Sequence, residues 1–413
     1  MRRSKATLFQ LRQCDPVAWT VLLNSQPDVE GVEVTAVTEQ PLPSLMLLTG
    51  GSESKRTRYT LTLADHTDPI TFISKQTNAA EVNFYQTFAK QFPYLIPTPL
   101  LAETSGLNGW IITDDVPNHF PPHTWQHNDV EDIIGDLAAF HAAYWDTTET
   151  LADLGWLSHF ISREQKQYTW EALKKQKAVF FDEGPGAILS EHAINHVGRL
   201  APVLLEAANG LVVMRTLDGW PGVLGESHLQ AAADLLDDPV PMLEPLLDLP
   251  ATLLHGHPHP YQWFVTLFDQ RRLFNWNKPT LGPGILDLVF FLEQFDLLYH
   301  PESQALFVRQ ERPSSEETIV DSYLLALSAE LGSQSQTRDV RRALAAARCL
   351  YVLTTSFPHF ASWFNDMPNR YVWQRINRIS DEELQNSQFS LLAAYRPYLS
   401  GLFQRFLQSY YAL

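Results

Sequence analysis

Cysteine, long apolar runs and positive charge are all scarce in this chain of 413 residues. The two cysteines, Cys14 and Cys349, lie far apart and form no CxxC pattern, which argues against a disulfide framework and fits a reducing compartment. No run approaches the roughly 18 consecutive apolar residues that span a bilayer. The basic start, "MRRSKATLFQLRQCDPV", lacks the apolar core of a signal peptide. We therefore expect a soluble, cytoplasmic protein.

Acidic residues outnumber basic ones by 47 to 30, which gives a net charge of -17. Nucleic acids and anionic membranes repel such a surface, so neither is expected as a partner. Aromatic residues are plentiful, with 11 Trp, 14 Tyr and 23 Phe, and they suffice to line pockets or fill thick packing between helices. The composition does not indicate an oligomeric state.

The periodicity of the chain predicts a short lead-in over residues 1–35, a strand-rich lobe over 36–115 and a helical lobe over 116–413. In the strand-rich lobe, "SLMLL", "RYTLTL", "ITFIS", "YLIPTPLLAE" and "GWIITDDV" have strand patterns, and "AAEVNFYQTFAKQF" is a helix between the third and fourth. This pattern predicts a small antiparallel sheet with one helix.

Helical spacing dominates after residue 116, beginning with "NDVEDIIGDLAAFHAAYW", where Asn128 and Glu131 form a candidate capping box. The exception is residues 252–276, which have the pattern of a loop and a β-hairpin. The predicted fold class is α+β in two lobes, with a small antiparallel lobe and a larger helical lobe that contains the hairpin. Such an arrangement suggests a cleft between the lobes.

Three histidines, His255, His257 and His259, occupy alternate positions in "LLHGHPHPYQWFV". Imidazoles at such a spacing could chelate a transition metal. Alternate residues share a face only while a strand continues, however, and Pro258 and Pro260 interrupt it. We therefore predict no metal site here.

Several segments, in order over residues 40–300, resemble the aminoglycoside phosphotransferase and choline kinase family, whose fold is protein-kinase-like. "LTGGSESKRTRYTLTL", which contains Gly50 and Gly51, resembles the loop that covers the nucleotide phosphates. "TFISKQ" resembles the strand that carries the phosphate-binding lysine, here Lys75. "AAEVNFYQTF" resembles the helix that carries the ion-pair partner of this lysine, here Glu81. "DLAAFHAAYW" resembles the family's Leu-His helix. The alternatives are that Gly50 and Gly51 form only a hairpin turn and that Lys75 is only a solvated strand lysine.

The histidine stretch then resembles the family's catalytic loop, which has the pattern His-Gly-Asp, four residues and Asn before a strand. His255 and Gly256 are kept, but His257 replaces the catalytic Asp and Gln262 replaces the metal-binding Asn. In the following "LFNWN", Asn275 replaces the metal-binding Asp. Downstream, "LGPGILDLVFFL" keeps the family's acidic residue as Asp287.

Phosphoryl transfer depends on positioning and on charge neutralisation by magnesium, which prefers carboxylate oxygens. The three substitutions leave none among the usual ligands, so we predict a pseudokinase with a ligand-binding or regulatory role. The resemblance implies ATP as the cofactor, bound weakly or without metal, and a small-molecule ligand in the inter-lobe or helical-lobe cleft. The alternative is an active ATP-dependent small-molecule kinase with His257 as base and a metal held by Gln262, Asn275 and either Asp269 or Asp287.

Overall fold

The computed structural model describes residues 15–27, 29–42, 55–106, 108–116, 118–162, 204–267, 270–299, 311–332, 335–364, 370–380, 382–383 and 390–413. Contacts within the chain group it into two compact units. Unit one is Met1–Pro122 with Tyr261–Pro279, and unit two is His123–Pro260 with Thr280–Leu413.

Unit one is built on a five-stranded antiparallel sheet with the strand order β1-β2-β3-β5-β4. A helix, α2, follows β3 and precedes the edge strand β4, so β5 returns to the centre of the sheet. The elements of unit one before residue 122 are α1 (Pro16–Leu23), β1 (Val34–Leu42), β2 (Arg56–Leu63), β3 (Ile70–Asn78), α2 (Ala79–Phe88), a 3₁₀ turn (Ala89–Gln91), β4 (Pro99–Ser105) and β5 (Asn108–Asp114).

One face of this sheet forms an apolar core with α1. Trp19 of α1 is fully buried, and its ring lies 5.2 Å from that of Tyr59 and 5.6 Å from that of Phe72. Tyr59 and Phe72 are directly opposed on β2 and β3, so alternate residues of both strands point into this core. The intervening positions of each strand, which include Arg56 on β2 and Lys75 on β3, therefore lie on the other face of the sheet.

The predicted hairpin forms from β7 (Trp263–Val265) and β8 (Arg271–Leu273), and it groups with unit one. Two backbone hydrogen bonds join it there: Phe120 N–H donates to the Val265 carbonyl, and Leu273 N–H donates to that of Leu95. Just beyond β8, the ring of Trp276 stacks on Phe84 of α2 at 4.1 Å. These contacts place residue 275 beside the sheet.

Unit two is mainly helical, and its one described sheet pairs β6 with β9. Its elements are α3 (His127–Ala143), α4 (Thr148–Ala152), α5 (Leu204–Leu217), α6 (Glu226–Asp237), α7 (Val240–Leu247), β6 (Thr252–Leu254), β9 (Thr280–Gly282), α8 (Ile285–Tyr299), α9 (Glu316–Leu331), α10 (Ser335–Arg342), α11 (Leu344–Tyr351), a π-helical turn (Val352–Ser356), α12 (Phe357–Trp363), α13 (Arg370–Ile376) and α14 (Ser390–Tyr410). Two further 3₁₀ turns cover Pro122–Thr124 and Pro260–Gln262.

The predicted α+β fold class is confirmed by an antiparallel sheet with one inserted helix and by the mainly helical second unit. The predicted capping box at Asn128 and Glu131 is wrong. Helix α3 begins at His127, so Asn128 lies inside its first turn, and the N-cap is Gln126, whose N–H donates to the Asp129 carboxylate at 2.7 Å. The strand expected at "SLMLL" lies outside the described residues. Within the described part of the chain, no helix combines the length and apolarity needed to cross a membrane.

Candidate functional site

Lys75 and Glu81 form an ion pair at the start of α2. The Lys75 ammonium lies 2.6 Å from Glu81 Oε2, and both side chains are buried. Glu81 Oε2 also accepts a hydrogen bond from the Thr77 hydroxyl. The predicted pair therefore exists, and Lys75 is not a solvated strand lysine.

Local sequence explains why Glu81 is in position. Asn78 ends β3 and caps α2, and its side-chain oxygen accepts from the Glu81 N–H at 2.9 Å. Asn is among the preferred N-cap residues, and an acidic side chain in the first turn complements the helix dipole. The cap fixes the backbone of the first turn, so the carboxylate faces the lysine of the adjoining strand.

Asn275 is the third member of this group. Its Oδ1 accepts from the Lys75 ammonium at 2.5 Å. The residue has φ +68°, in the left-handed region that Asn and Asp adopt more readily than other side chains. Trp276, fully buried, donates its indole N–H to the Leu273 carbonyl at 2.8 Å and so anchors the turn. Lys75 thus links a carboxylate from α2 and a neutral amide from the segment after β8.

Burial lowers the pKa of Lys75, the approach of Glu81 opposes that effect, and the positive charge of Arg56 lowers the pKa further. Arg56 lies directly across from Lys75 in the β2–β3 ladder. Burial likewise lowers the pKa of Arg56. Two cations therefore occupy neighbouring positions on one face of the sheet.

In unit two, the segment that resembles a catalytic loop is held by Asp287 of α8. Its two carboxylate oxygens accept from the backbone N–H groups of His255, at 2.7 Å, and Gly256, at 2.9 Å. Gly256 has φ +85°, a conformation for which glycine is suited. His255 is fully buried, and its Nδ1 accepts from the His257 N–H at 3.3 Å. Asp287 and His255 both hold the loop backbone.

Sequence reasoning missed a polar cluster behind this loop, formed by His141, Tyr323 and Thr252. His141 is fully buried, with Nε2 3.3 Å from Asp287 Oδ2 and Nδ1 2.8 Å from the Tyr323 hydroxyl. The Thr252 hydroxyl donates to the His141 carbonyl at 2.6 Å. The histidine in the apolar helix "DLAAFHAAYW" was the available signal, since a buried polar group requires partners.

The remaining two histidines differ in environment. His257 is half-buried, and its ring lies edge-on to Phe290 at 4.8 Å. His259 is 2% exposed, and burial lowers its pKa to about 3, against the raising effect of a hydrogen bond with the Gln294 side chain. His259 is thus a neutral core residue, whereas the His257 imidazole packs against an aromatic ring.

The structure distributes the predicted site residues over the two units. Unit one brings together Lys75, Glu81 and Asn275. Gln262, also in unit one, is buried, and its carbonyl accepts from the Phe274 N–H at 3.0 Å. Unit two holds His255, His257 and Asp287. Gly50, Gly51 and Asp269 lie outside the described residues.

The donor groups at these positions do not fit magnesium. Asn275 Oδ1 already accepts from an ammonium, Gln262 offers only a neutral amide, and both oxygens of Asp287 accept from backbone N–H groups. Magnesium sites in nucleotide-binding proteins usually contain one or two carboxylates. Over the described ranges, no three His, Cys, Asp or Glu side chains converge so as to hold a metal ion.

No protein-family model and no curated protein matches this chain. Among solved structures, it is similar to the choline kinase LicA from Streptococcus pneumoniae at 12% identity and TM-score 0.41, over 91% of this chain and 94% of that one. A choline kinase from Cryptosporidium parvum Iowa II has 9% identity and TM-score 0.45, over 92% and 99%. A mutant aminoglycoside 2'-phosphotransferase-IIIa, solved with GDP, has 12% identity and TM-score 0.43, over 91% and 99%.

LicA has also been solved in complex with AMP. Choline kinases and aminoglycoside phosphotransferases are thus among the proteins whose structures this chain resembles, and they are the two groups that the sequence motifs resemble. At these identities and TM-scores, similarity assigns no substrate or activity to the chain.

Proposed function

We propose that this chain is a pseudokinase of the aminoglycoside phosphotransferase and choline kinase type, which binds a nucleotide without transferring phosphate and has a ligand-binding or regulatory role. One observation carries the proposal: the Lys75–Glu81 pair is kept, while the group that completes it, Asn275, is a neutral amide bonded to the lysine. The framework of a phosphate-binding site therefore remains without the charge that would hold a metal.

An active phosphotransferase needs negatively charged ligands at the position where its metal ion binds. In phosphoryl transfer, metal ions bridge the phosphate oxygens and neutralise the charge that develops in the transition state. A carboxylate at position 275 would attract both the metal and the lysine, whereas an amide oxygen offers only a dipole. His257 could accept a proton, but a neutral imidazole packed on Phe290 provides less electrostatic stabilisation than a carboxylate.

The alternative, an active small-molecule kinase, requires another carboxylate to hold the metal. Asp287 was one candidate, but it already accepts two backbone hydrogen bonds and contacts His141. Releasing it would leave the buried N–H of His255 and the partly buried N–H of Gly256 without this partner, at a cost of about 1–3 kcal/mol for the buried donor. This engagement of Asp287 favours the pseudokinase over the kinase.

Within this proposal ATP is the nucleotide to test, and the second ligand is a small molecule. Nucleic acid and membranes are not partners because the chain carries a net charge of -17, and the protein acts in the cytoplasm.

Thermal shift with ATP, in EDTA and then with Mg²⁺ or Mn²⁺, tests the proposal together with a phosphate-release assay. We expect stabilisation by ATP of similar size with and without metal, and no turnover. Turnover of ATP, or stabilisation that appears only with metal, would favour the active kinase. The absence of a shift with every nucleotide would exclude nucleotide binding.

A variant that restores the family's residues provides the complementary test. His257→Asp, Gln262→Asn and Asn275→Asp together return the carboxylates and the shorter amide. We expect ATP binding to become metal-dependent in this variant. If it does not, the proposed correspondence of the loop with a catalytic loop is incorrect.

A further inference from the structure

A serine, a histidine and a glutamate of unit two form a chain of polar contacts where α3 and α9 begin. His127 is the first residue of α3, and its Nδ1 lies 2.7 Å from the Ser314 hydroxyl oxygen. Its other ring nitrogen, Nε2, lies 3.4 Å from Glu131 Oε1, one turn further along the same helix. None of the three lies in a segment that resembles the kinase family.

The order of these groups is the order that nucleophilic catalysis requires. A hydroxyl becomes a nucleophile when an adjacent base takes its proton, and a third group orients that base. Such a triad is recognised by its geometry and not by the positions of its members in the sequence. His127 contacts the hydroxyl and the carboxylate through different ring nitrogens, so a neutral imidazole can accept from one and donate to the other.

The backbone on both sides of Ser314 is fixed. Arg312 donates from Nε to the Ser314 carbonyl and from Nη1 to Asp296 Oδ1 of α8, both at 2.8 Å. The next residue, Ser315, is the N-cap of α9, and its hydroxyl oxygen accepts from the Thr318 N–H at 3.1 Å. Ser314 is therefore held in position from α8 and from α9.

Burial differs between the hydroxyl and its partners. Ser314 is only 5% exposed, whereas the side chains of His127 and Glu131 are 48% and 43% exposed. Glu131 Oε1 also accepts from the Ser322 hydroxyl of α9 at 3.3 Å, which ties the carboxylate to the helix that follows Ser314. The hydroxyl is thus held in place beside a base that solvent reaches.

The surroundings of the three residues select the charge of a substrate. The first turns of the two helices carry acidic side chains, namely Asp129 of α3 and Glu316 and Glu317 of α9. They repel an anion, so the substrate carries no negative charge. The N–H groups of Glu316 and Glu317 have no acceptor within their own helix, and such donors can stabilise the oxyanion that forms during ester cleavage.

We propose that Ser314, His127 and Glu131 form a catalytic centre that hydrolyses uncharged carboxylic esters. This activity goes beyond the proposed function and does not depend on nucleotide binding. Ser314 is the nucleophile, and His127, with its own proton on Nε2 towards Glu131, is the base. Glu131 is a positioning residue, because it acts through His127.

The reaction proceeds in two halves. Ser314 Oγ bonds to the carbonyl carbon while His127 Nδ1 takes the hydroxyl proton. The bond to the leaving alkoxide then breaks, and that oxygen receives the proton from Nδ1. Water attacks the resulting acyl-serine and gives one proton to Nδ1. The carboxylic acid leaves, and the proton returns to Ser314 Oγ.

Labelling of the full chain with an uncharged alkyl fluorophosphonate, followed by mass spectrometry of its peptides, tests this assignment. The reagent bonds to an activated serine oxygen with loss of fluoride. We expect the adduct on Ser314, and labelling at least 100-fold slower in His127→Gln. Release of 4-nitrophenol from 4-nitrophenyl acetate should fall to the uncatalysed rate in Ser314→Ala. Ser328→Ala, a half-buried serine further along α9, is the matched control and should behave as the parent protein does.

Glu131→Gln is a second variant, and it changes a partly exposed side chain, so the protein should still fold. We expect it to lower the maximal labelling rate about tenfold, with the fluorophosphonate concentration at half-maximal rate unchanged. A glutamate that only supported the structure would leave the maximal labelling rate as it is.

Two results would overturn the catalytic centre. One is a parent protein with no adduct on Ser314, and the other is equal labelling of the parent and His127→Gln. ATP binding, measured in the same variants, should be unaltered, so failure of this inference and failure of the proposed function are distinguishable.

Discussion

Glu81 is the residue on which the buried charge of Lys75 depends. Removing one partner of a buried ion pair leaves the other uncompensated. We predict that Glu81→Gln lowers the free energy of unfolding by about 2 kcal/mol or more in urea denaturation. Glu39→Gln, an exposed change on β1 of the same sheet, should cost almost nothing.

The double variant Lys75→Met with Glu81→Gln separates charge from packing. It removes both charges, so it should recover part of the stability that Glu81→Gln loses. A double variant less stable than the single one would show that Lys75 is not held in the core by Glu81.

His259 gives the protein a predictable response to pH. Its pKa is about 3 in the folded state and about 6.5 in an unfolded chain. Between these values the unfolded state binds more protons, so the free energy of unfolding falls as the pH falls, and the effect levels off below pH 3. Through this one group, the free energy of unfolding should fall by about 2 kcal/mol as the pH is lowered from 7 to 5.

Urea denaturation at the two pH values, with and without His259→Gln, measures this contribution. The difference between pH 7 and pH 5 should be about 2 kcal/mol smaller in the variant than in the parent. His66→Gln, which changes an exposed histidine in the turn after β2, should leave the difference unaltered. An equal pH response in all three proteins contradicts the neutral, buried state of His259.

At the scale of elements, the start of α8 approaches α3 and α9 closely enough that only glycine fits at position 284. A Cβ there would lie 2.4 Å from the Tyr323 hydroxyl and 2.7 Å from His141 Nδ1. We predict that Gly284→Ala destabilises the protein by about 1–3 kcal/mol and that adding Tyr323→Phe relieves part of the loss.

Gly135 provides the matched control because it lies within α3 and a Cβ there would meet nothing within 4 Å. Gly135→Ala should stabilise the helix by about 0.5–1 kcal/mol, measured by urea denaturation. If both alanine variants changed stability equally, the close packing behind the loop would be incorrect.

Helix α1 is part of the core of unit one. We predict that Trp19→Ala costs about 3–5 kcal/mol, because a fully buried indole is removed from Tyr59 and Phe72. Val17→Ala on the same helix should have little effect, since that side chain is 68% exposed. Urea denaturation of both variants tests this, and a small effect at Trp19 would mean that α1 is dispensable.

The elements differ in how well the sequence predicts them. The alternation of apolar and polar residues predicts strands β2 and β3, because one face of each strand packs on a core and the other face carries charged residues. Helix α1, within the predicted lead-in, was missed because "PVAWTVLL" is almost uniformly apolar and has no helical periodicity. Its available signal was Asp15 at the N-cap followed by Pro16 at the first position.

Over the whole molecule, periodicity predicted the sheet and its inserted helix, and the resemblance to the kinase family predicted the Lys75–Glu81 pair. Spacing could not reveal the bond between Lys75 and Asn275, because the two residues lie 200 positions apart and meet through tertiary contacts such as the packing of Trp276 on Phe84. Predicting that Arg56 lies directly opposite Lys75 would have required the register of β2 and β3, which spacing does not give. The roles predicted for Gly50 and Gly51 stay predictions.

Nucleotide binding without a divalent metal is the claim on which the proposed function depends. Isothermal titration of the full chain with ATP, in EDTA and in Mg²⁺, tests it most directly. We predict dissociation constants that agree within about threefold in the two conditions. An ATP affinity at least tenfold higher in Mg²⁺ would contradict the claim and would indicate a working metal site.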